Sequence, residues 1–434
     1  MKYFLAILCF LAFQLKAQQP QIHTDQINIA RDSYGVPHIF APTDPEVAYG
    51  LAWAHAEDDF KTIQQGYLAG NNQLSKSIGN GGLGADFIAQ FIGSEALYKE
   101  RYESDISEAY KKVVEGYRQG INNYAATHPE EVLVTGFFPI TTKEMIRYAQ
   151  LQLFISSKGD QWVQRIINND LQYDFKAEET PKGSNTFAFN SSKTKDGSTY
   201  LAINTHQPLD GPVSWYEAHL VSEEGTNIIG AAFPGTPCIL TGANEYLGWT
   251  HTVNYPDKAD VYALQMHPKK KDVYLVDGKP YKLEKFKAKL TLKFLGINIP
   301  IKKKFYKSIY GPTLKNKTGV YSVRTPSTTN ITAIEQWWKM NKATNFSEFL
   351  WNKNIFLCFL TLETISIKEI FFISNKLILE PKGILLVNII TFSLTKTLYI
   401  CFMVLNKYTA KKTAELLLQI KAIKLNSSKN TKFE

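Results

Sequence analysis

The chain has 434 residues, 44% of them hydrophobic and 21% charged, with a formal net charge of +9. That length permits one large domain or two to three smaller ones. The charge is mostly terminal: residues 353–434 carry 12 Lys against 5 acids, Lys2 and Lys16 fall in the first 17 residues, and the body between is near neutral. A nucleic-acid-binding protein carries its positive charge on the functional body, so that class is excluded. Cys238, Cys358 and Cys401 remain once Cys9 is set aside with the N-terminal segment, and an odd count implies no disulfide framework.

Met1–Ala17 places Lys2 before an apolar run from Tyr3 to Phe13 and ends on Ala17, the pattern of a secretory signal peptide and hence of a periplasmic or secreted protein. Ile27–Ala41 alternates apolar and polar residues around Tyr34-Gly35 and predicts a strand pair. Asp44–Phe60 has helical spacing, with Ala48, Leu51, Ala52, Ala56 and Phe60 on one face. His55 and Asp59 are the one pair among the nearby acids that share a helix face, too few for a metal site, so Arg31, His38 and His55 are read as structural. A second stripe (Ile106, Tyr110, Val113, Val114, Tyr117, Ile121, Tyr124) predicts a helix over Ser104–Tyr124 with an aromatic core face. Thr141-Thr142-Lys143-Glu144 is a capping box that opens a further helix through Phe154. Residues 18–173 are therefore expected to be mostly helical.

Asp174–Gly183 is polar, contains Pro181 and has no apolar period, which predicts an exposed linker. Thr186–Asn190 and Thr199–Asn204 read as two strands, and Asp196-Gly197 as the two-residue turn between them, because a type I′ turn needs φ > 0 at both positions. In that register residues whose numbers sum to 393 face each other, Ser184 lies beside Asn204–Leu209, and His206 is three residues out of register. Short strands follow at Ser214–Val221, Thr226–Ala232, Cys238–Thr241, Leu247–Val253 and Asp260–Gln265, with turns at Pro234-Gly235, Gly242-Ala243-Asn244 and Tyr255-Pro256: an antiparallel sheet. Asp272–Val323 continues as basic alternating strands, turning at Asp277-Gly278 and Gly311-Pro312, with its lysines on solvated faces.

From Asn352 onward there is no Asp, Arg, His or Trp, and one Gly and one Pro. Lys, Ile, Leu, Phe, Asn and Thr share A/T-rich codons, so residues 352–434 read as an aberrant tail, translated from another frame or from non-coding sequence. The other reading is a genuine apolar extension: Gly383–Asn406 is long enough to span a bilayer, with Lys396 in its interior at about 2.5–3.5 kcal/mol on insertion scales.

Several separated motifs, in order, resemble the penicillin acylase family of N-terminal-nucleophile amidohydrolases: Gly183-Ser184-Asn185, Asn204-Thr205-His206, Trp215-Tyr216-Glu217-Ala218-His219-Leu220 and Pro234-Gly235-Thr236-Pro237. Arg31-Asp32, Gly35-Val36-Pro37-His38-Ile39 and Ala54-His55-Ala56-Glu57-Asp58 are similar to the opening of family precursors, and the resemblance covers Ile27 to Phe349. It implies an α+β fold, the four-layer αββα sandwich, with its sheets incomplete because the chain is truncated relative to the family. It further implies a precursor cut at the linker, leaving two chains, the second (184–351) beginning at Ser184. Gly183 admits backbone conformations that let the serine hydroxyl approach the scissile carbonyl.

The chemistry follows from that cut. A serine hydroxyl is a weak nucleophile until a base takes its proton, and no Gly-x-Ser-x-Gly elbow surrounds Ser184. A new α-amine on Ser184, with a pKa near ~8, can be that base. The resemblance implies amide hydrolysis of an N-acylated small molecule through an acyl-Ser184 ester. Penicillin, cephalosporin and acyl-homoserine-lactone amides are the implied substrate types; the branch of long-chain acyl-homoserine-lactone, aculeacin and cephalosporin acylases carries His at the position of His206, here expected to orient the amine and polarise the site. The backbone N–H of Val253 is implied as one oxyanion donor. The second, an Asn in an Asn-x-x-Tyr-Ala-Asp motif, is absent after Phe349. No cofactor is required. Asp257, the Ala259 carbonyl and Asp260 resemble calcium ligands of some family members, and they read equally as solvated turn acids. The competing functional reading is a catalytically inactive fragment that contacts a membrane through its tail.

Overall fold

The structure is a computed structural model. It describes residues 19–171, 184–189, 191–252, 258–294, 297–345, 347–349, 361–366 and 422–425.

Strands β1 (Asn28–Arg31) and β2 (Pro37–Ala41) form the strand pair expected at the start of the chain. Helix α1 (Asp44–Gly70) follows. Thr43 caps it, its Oγ1 accepting the Glu46 N–H while the Glu46 carboxylate accepts the Thr43 N–H. The helix runs ten residues past the expected end at Phe60 by restarting at Asp59. That residue leaves helical geometry (φ −156°, ψ 61°), and its Oδ1 accepts the Thr62 N–H at 3.1 Å as a new N-cap. Helices α2 (Leu74–Ile78), α3 (Leu83–Ile92), α4 (Ser94–Asp105), α5 (Glu108–Thr127), α6 (Thr142–Ser156) and α7 (Gly159–Asn168) complete the helical part. The capping box at Thr141 and Glu144 is present.

The aromatic stripe of α5 is buried, as its spacing requires: Tyr110, Val113, Val114, Tyr117, Ile121 and Tyr124 join one core cluster with Leu51, Ile63 and Tyr67 of α1. Close crossing of the two helices depends on Gly116, where a Cβ would stand 2.1 Å from the Pro45 carbonyl oxygen. Larger side chains there would force the helices apart.

The second half is mostly strand: β3 (Ser184–Phe189), β4 (Thr199–Thr205), β5 (Tyr216–Ser222), β6 (Asn227–Ala232), β7 (Thr241–Asn244), β8 (Leu247–Thr252), β9 (Asp260–Ala263), β10 (Gln265–Met266), β11 (Val273–Val276), β12 (Lys279–Lys282), β13 (Glu284–Phe294), β14 (Ile297–Ser308), β15 (Gly311–Lys315) and β16 (Val320–Arg324). Helix α8 (Ala333–Asn341) precedes two further strands, β17 (Thr361–Ser366) and β18 (Ala422–Leu425). The main sheet has the order β1-β2-β5-β6-β7-β8-β17, and a smaller one β18-β4-β3. Strands from the first part thus share a sheet with the second, through a parallel pairing that puts His38 opposite His219.

The layering follows from β8. Leu247 and Trp249 belong to the helix-facing core, whereas Gly248 between them faces the small sheet, where a Cβ would meet Leu201 Cδ2 at 2.9 Å. Helices, main sheet and small sheet are therefore stacked, and the fold is α+β with helix–sheet–sheet layers among the described residues.

Two details differ from the expectation. The Gly242-Ala243-Asn244 segment is strand, not turn, and Cys238–Leu240 precedes the strand instead of forming it. Gly242 stands opposite Gly230, and a Cβ on Gly242 would lie 2.3 Å from the Ile229 carbonyl oxygen, so glycine serves close strand approach there. The region after Asn352, read as aberrant, contributes β17 beside β8 and β18 beside β4. Gly383–Asn406 lies outside the described residues, and among those described no helix is long and apolar enough to cross a membrane.

Burial also sets an acid response. His55, in α1, is 2% exposed and stacks on Tyr216 at 3.8 Å. Burial holds its imidazole neutral and pushes its pKa down from 6.5 to about 3. The unfolded chain takes up that proton below pH 6.5, so this contribution to stability is full above 6.5 and is lost as pH falls toward 3. His55→Phe is expected to remove roughly 1 kcal/mol per pH unit from the decline. Urea denaturation of the two proteins at mildly acid and neutral pH measures it.

Candidate active site

The β3–β4 hairpin brings the candidate nucleophile and histidine together, in a register four below the expected sum: Ser184 pairs with Thr205 and Phe189 with Tyr200. The cause lies in the connection. Gly197 has φ +66°, but Asp196 is not in the left-handed region, so no type I′ turn forms. A 3-10 turn (Ser191–Lys193) lengthens the loop, and Asp196 Oδ1 accepts the Ser198 N–H at 3.0 Å. The shift carries His206 closer to Ser184 than the expected offset of three residues, placing it next to the strand partner of Ser184.

Ser184 is half-buried at the first position of β3, and the His206 main-chain N–H donates to its Oγ at 3.3 Å. The His206 ring points elsewhere: its Nε2 accepts from Asn185 Nδ2 at 3.1 Å, which places the ring proton on Nδ1. His206 therefore reaches Ser184 through its backbone, and the two are not arranged as a Ser–His base pair.

Ser184 opens onto a cavity of about 790 Å³, counted to its open mouth. Its walls are mostly apolar: Leu153 from α6, Trp215 stacked on Phe233 at 4.2 Å, Leu240, and Trp337 from α8. Gln152, Gln207 and Thr236 supply polar atoms to the lining. Such a lining, mostly apolar with a few polar groups, has the composition of a small-molecule site. His251, 7% exposed, closes one side. Its Nε2 lies 2.9 Å from Trp337 Nε1 and 2.8 Å from the Leu240 carbonyl oxygen. These contacts demand opposite tautomers, since that nitrogen either accepts from Trp337 or donates to Leu240.

Sequence reasoning does not single out the aromatic walls. Trp215 lies within a quoted motif and Phe233 immediately precedes another, which is the available signal. Trp337 and Leu153 lie more than 100 residues from one another and carry no local mark. Gly183, Val253 and Asp257 lie outside the described residues, so the cut site, the expected oxyanion donor and half of the expected calcium pair have no described geometry. Ala259 is buried and Asp260 is exposed at the start of β9. Among the described residues no group of three His, Cys, Asp or Glu is placed to hold a metal ion.

On this α+β frame, comparison with known families gives a match of residues 26–354 to the penicillin amidase family, and the chain belongs to it. It is similar to the acyl-homoserine lactone acylase PvdQ of Pseudomonas fluorescens (strain Pf0-1), 27% identical over 378 residues that cover 78% of this chain and 48% of the relative. Aculeacin-A acylase of Actinoplanes utahensis is 22% identical over 368 residues, 73% of this chain and 45% of the relative. The chain thus spans about half the length of the curated relatives it matches. Among solved structures, a thermostable penicillin G acylase from Alcaligenes faecalis aligns over 42% of this chain and 32% of its own, at 19% identity and a TM-score of 0.36.

Proposed function

We propose that the chain carries the nucleophile of an amidohydrolase that cleaves the amide bond of an N-acylated small molecule, with Ser184 as a self-processed N-terminal serine. The observation that carries this reading is Ser184 Oγ, held by the His206 N–H at the edge of an apolar, aromatic-walled cavity. The family match and the acylase names of the relatives support the reaction class.

In this reading the cut before Ser184 frees an α-amine on the nucleophile itself. The amine takes the hydroxyl proton as Oγ bonds to the substrate carbonyl carbon, and returns it to the leaving nitrogen as the C–N bond breaks. Water then hydrolyses the acyl ester and restores the hydroxyl. The oxyanion formed in both steps needs backbone or amide donors, and the Val253 N–H is the donor this reading assigns. The acyl group lies along Trp215, Phe233 and Leu153. The same reading takes Met1–Ala17 as a secretory signal and the mature protein, in two chains, as periplasmic or secreted.

The test incubates the purified protein with N-acyl-homoserine lactones of several chain lengths and with penicillin G, following release of the free amine. Phenylmethylsulfonyl fluoride is added in parallel. Amine release, with sulfonylation mapped to Ser184, is the expected result. A folded protein that releases no amine and is not labelled at Ser184 rejects the reading in favour of an inactive fragment.

Calcium on Asp257, the Ala259 carbonyl and Asp260 is a separate proposal. Hard oxygen donors of this kind favour Ca²⁺, and a bound ion stabilises the folded state by mass action. If the ion is held, EDTA lowers the melting temperature and added calcium restores it. An unchanged melting curve removes calcium from the reading.

A further inference from the structure

The longest strand pair among the described residues is not part of the cavity. Strands β13 and β14 pair antiparallel over eleven positions, from Glu284 opposite Lys307 to Phe294 opposite Ile297. At the base, the apolar face of this hairpin is covered. Phe286, Ala288 and Phe305 pack with Phe87 and Phe91 of α3, and Gln90 of the same helix exchanges amide hydrogen bonds with the backbone of Lys289. Toward the end formed by Phe294 and Ile297 the cover stops: Ile297 is 66% exposed and Ile299 is 40% exposed.

Over the same stretch as the covered base, and largely on the opposite face, lies a collar of lysines. Register places Lys289 directly opposite Lys302, and Lys287 directly opposite Lys304, with Lys303 on the other face opposite Ala288. All five are exposed. Like charges directly opposite on neighbouring strands destabilise a sheet. Asp272 holds Lys285 (2.6 Å) and Lys315, while the five collar lysines form no ion pair among the described residues. Solvated lysines on an edge strand guard against edge-to-edge pairing. That purpose does not require them in facing pairs, nor on both faces, nor next to exposed isoleucines.

We propose that this hairpin is a docking element for an anionic lipid bilayer, its apolar end entering the boundary between headgroups and acyl chains and its lysine collar meeting the negatively charged headgroups. Dimensions fit. Lys302 is five residue steps along the strand from Ile297, about 17 Å. A tilted hairpin then buries its end by the ~5–10 Å typical of interfacial elements and leaves the collar at headgroup level. Long lysine stems extend the reach further. The charge complementarity selects the partner: a neutral bilayer offers the apolar end a site but leaves the collar without counter-charge. The proposal concerns a surface and holds whether or not Ser184 is catalytic.

The full-length protein is sedimented with vesicles of pure phosphatidylcholine and with vesicles of phosphatidylcholine and phosphatidylglycerol in equal parts. Binding to the anionic vesicles is expected, weakened strongly by salt because screening shortens the reach of the collar. The fourfold variant Lys287→Gln, Lys289→Gln, Lys302→Gln, Lys304→Gln is expected to bind at least about a hundredfold more weakly, given the contribution of each lysine near an anionic leaflet. The double variant Ile297→Ser, Ile299→Ser is expected to bind about tenfold more weakly, with the salt dependence kept. Because these side chains are exposed, neither variant should alter the circular dichroism spectrum, and the isoleucine variant keeps the test alive if the lysine variant aggregates. The proposal is overturned if the parent ignores anionic vesicles or binds both compositions equally. It is also overturned if the lysine variant binds like the parent, which would place the contact in the Lys-rich segment after Asn352, or if the isoleucine variant is unaffected.

Discussion

Ser184→Ala is expected to purify as one uncut chain and to lose amide hydrolysis by about 10⁴-fold or more, the scale on which enzymes lose rate when the nucleophile is removed. Both effects arise from one oxygen. In the proposed chemistry Oγ attacks the Gly183 carbonyl once, during processing, and the substrate carbonyl in every turnover. Alanine fits the half-buried start of β3, so the variant should keep its fold and its cavity. His206→Ala makes a useful contrast. It removes the ring that bonds Asn185 but keeps the main-chain N–H on Ser184 Oγ, so it should cost less than the loss of the hydroxyl. Electrophoresis reports processing, and amine release reports turnover. A Ser184→Ala protein that is still cut at this position and still active would assign the chemistry to another residue.

Asp44→Ala is expected to destabilise the fold by about 3 kcal/mol, the penalty for removing one member of a buried charged network. Asp44 lies at the start of α1 and is 6% exposed. Its Oδ1 accepts from Ser222 Oγ at 2.5 Å and Thr226 Oγ1 at 2.7 Å, both in the β5–β6 hairpin, and its Oδ2 pairs with Lys342 after α8. One carboxylate thus joins the segments before and after Ser184. If the chain is cut, this network and the parallel pairing of β2 with β5, together with the apolar core that both parts share, hold the pieces together without a covalent link. Asp44→Asn keeps the acceptor and loses the charge, so it should fall between wild type and alanine. Urea denaturation gives the values. Alanine within a few tenths of a kcal/mol of wild type would mean that solvent replaces these contacts at no cost.

Much of the helical half is legible from residue spacing. The α5 stripe can be read position by position, because a helix that buries a face must repeat its apolar residues every three to four positions. The capping box at Thr141 marks a helix start to within a residue. Glycine is less legible, since the same residue serves turns and close packing. Asp277-Gly278 forms the turn expected of it, both residues with positive φ. Asp196-Gly197 does not, because Asp196 bonds locally to Ser198 and Tyr200. Gly242 serves a tight strand pair. Turn chemistry is local, and which use a glycine serves is decided by the backbone that packs against it.

Any hairpin here brings the Ser184 and His206 segments to one end, but how close the two residues lie depends on the register: the expected turn would leave His206 three residues from the partner of Ser184, and the observed one leaves it one residue away. The cavity walls do not emerge from the sequence, since separated segments build them and no local pattern marks Leu153 or Trp337 as facing Ser184. The lysines of β13 and β14 read, from sequence, as a solvated face. Their direct opposition becomes visible only with the register.

Intact-mass spectrometry with N-terminal sequencing of the purified wild-type chain decides whether Ser184 heads a polypeptide. Two fragments are expected, the second beginning Ser184-Asn185-Thr186. A folded chain that stays in one piece, or one cut so that Ser184 remains internal, would contradict the proposed nucleophile.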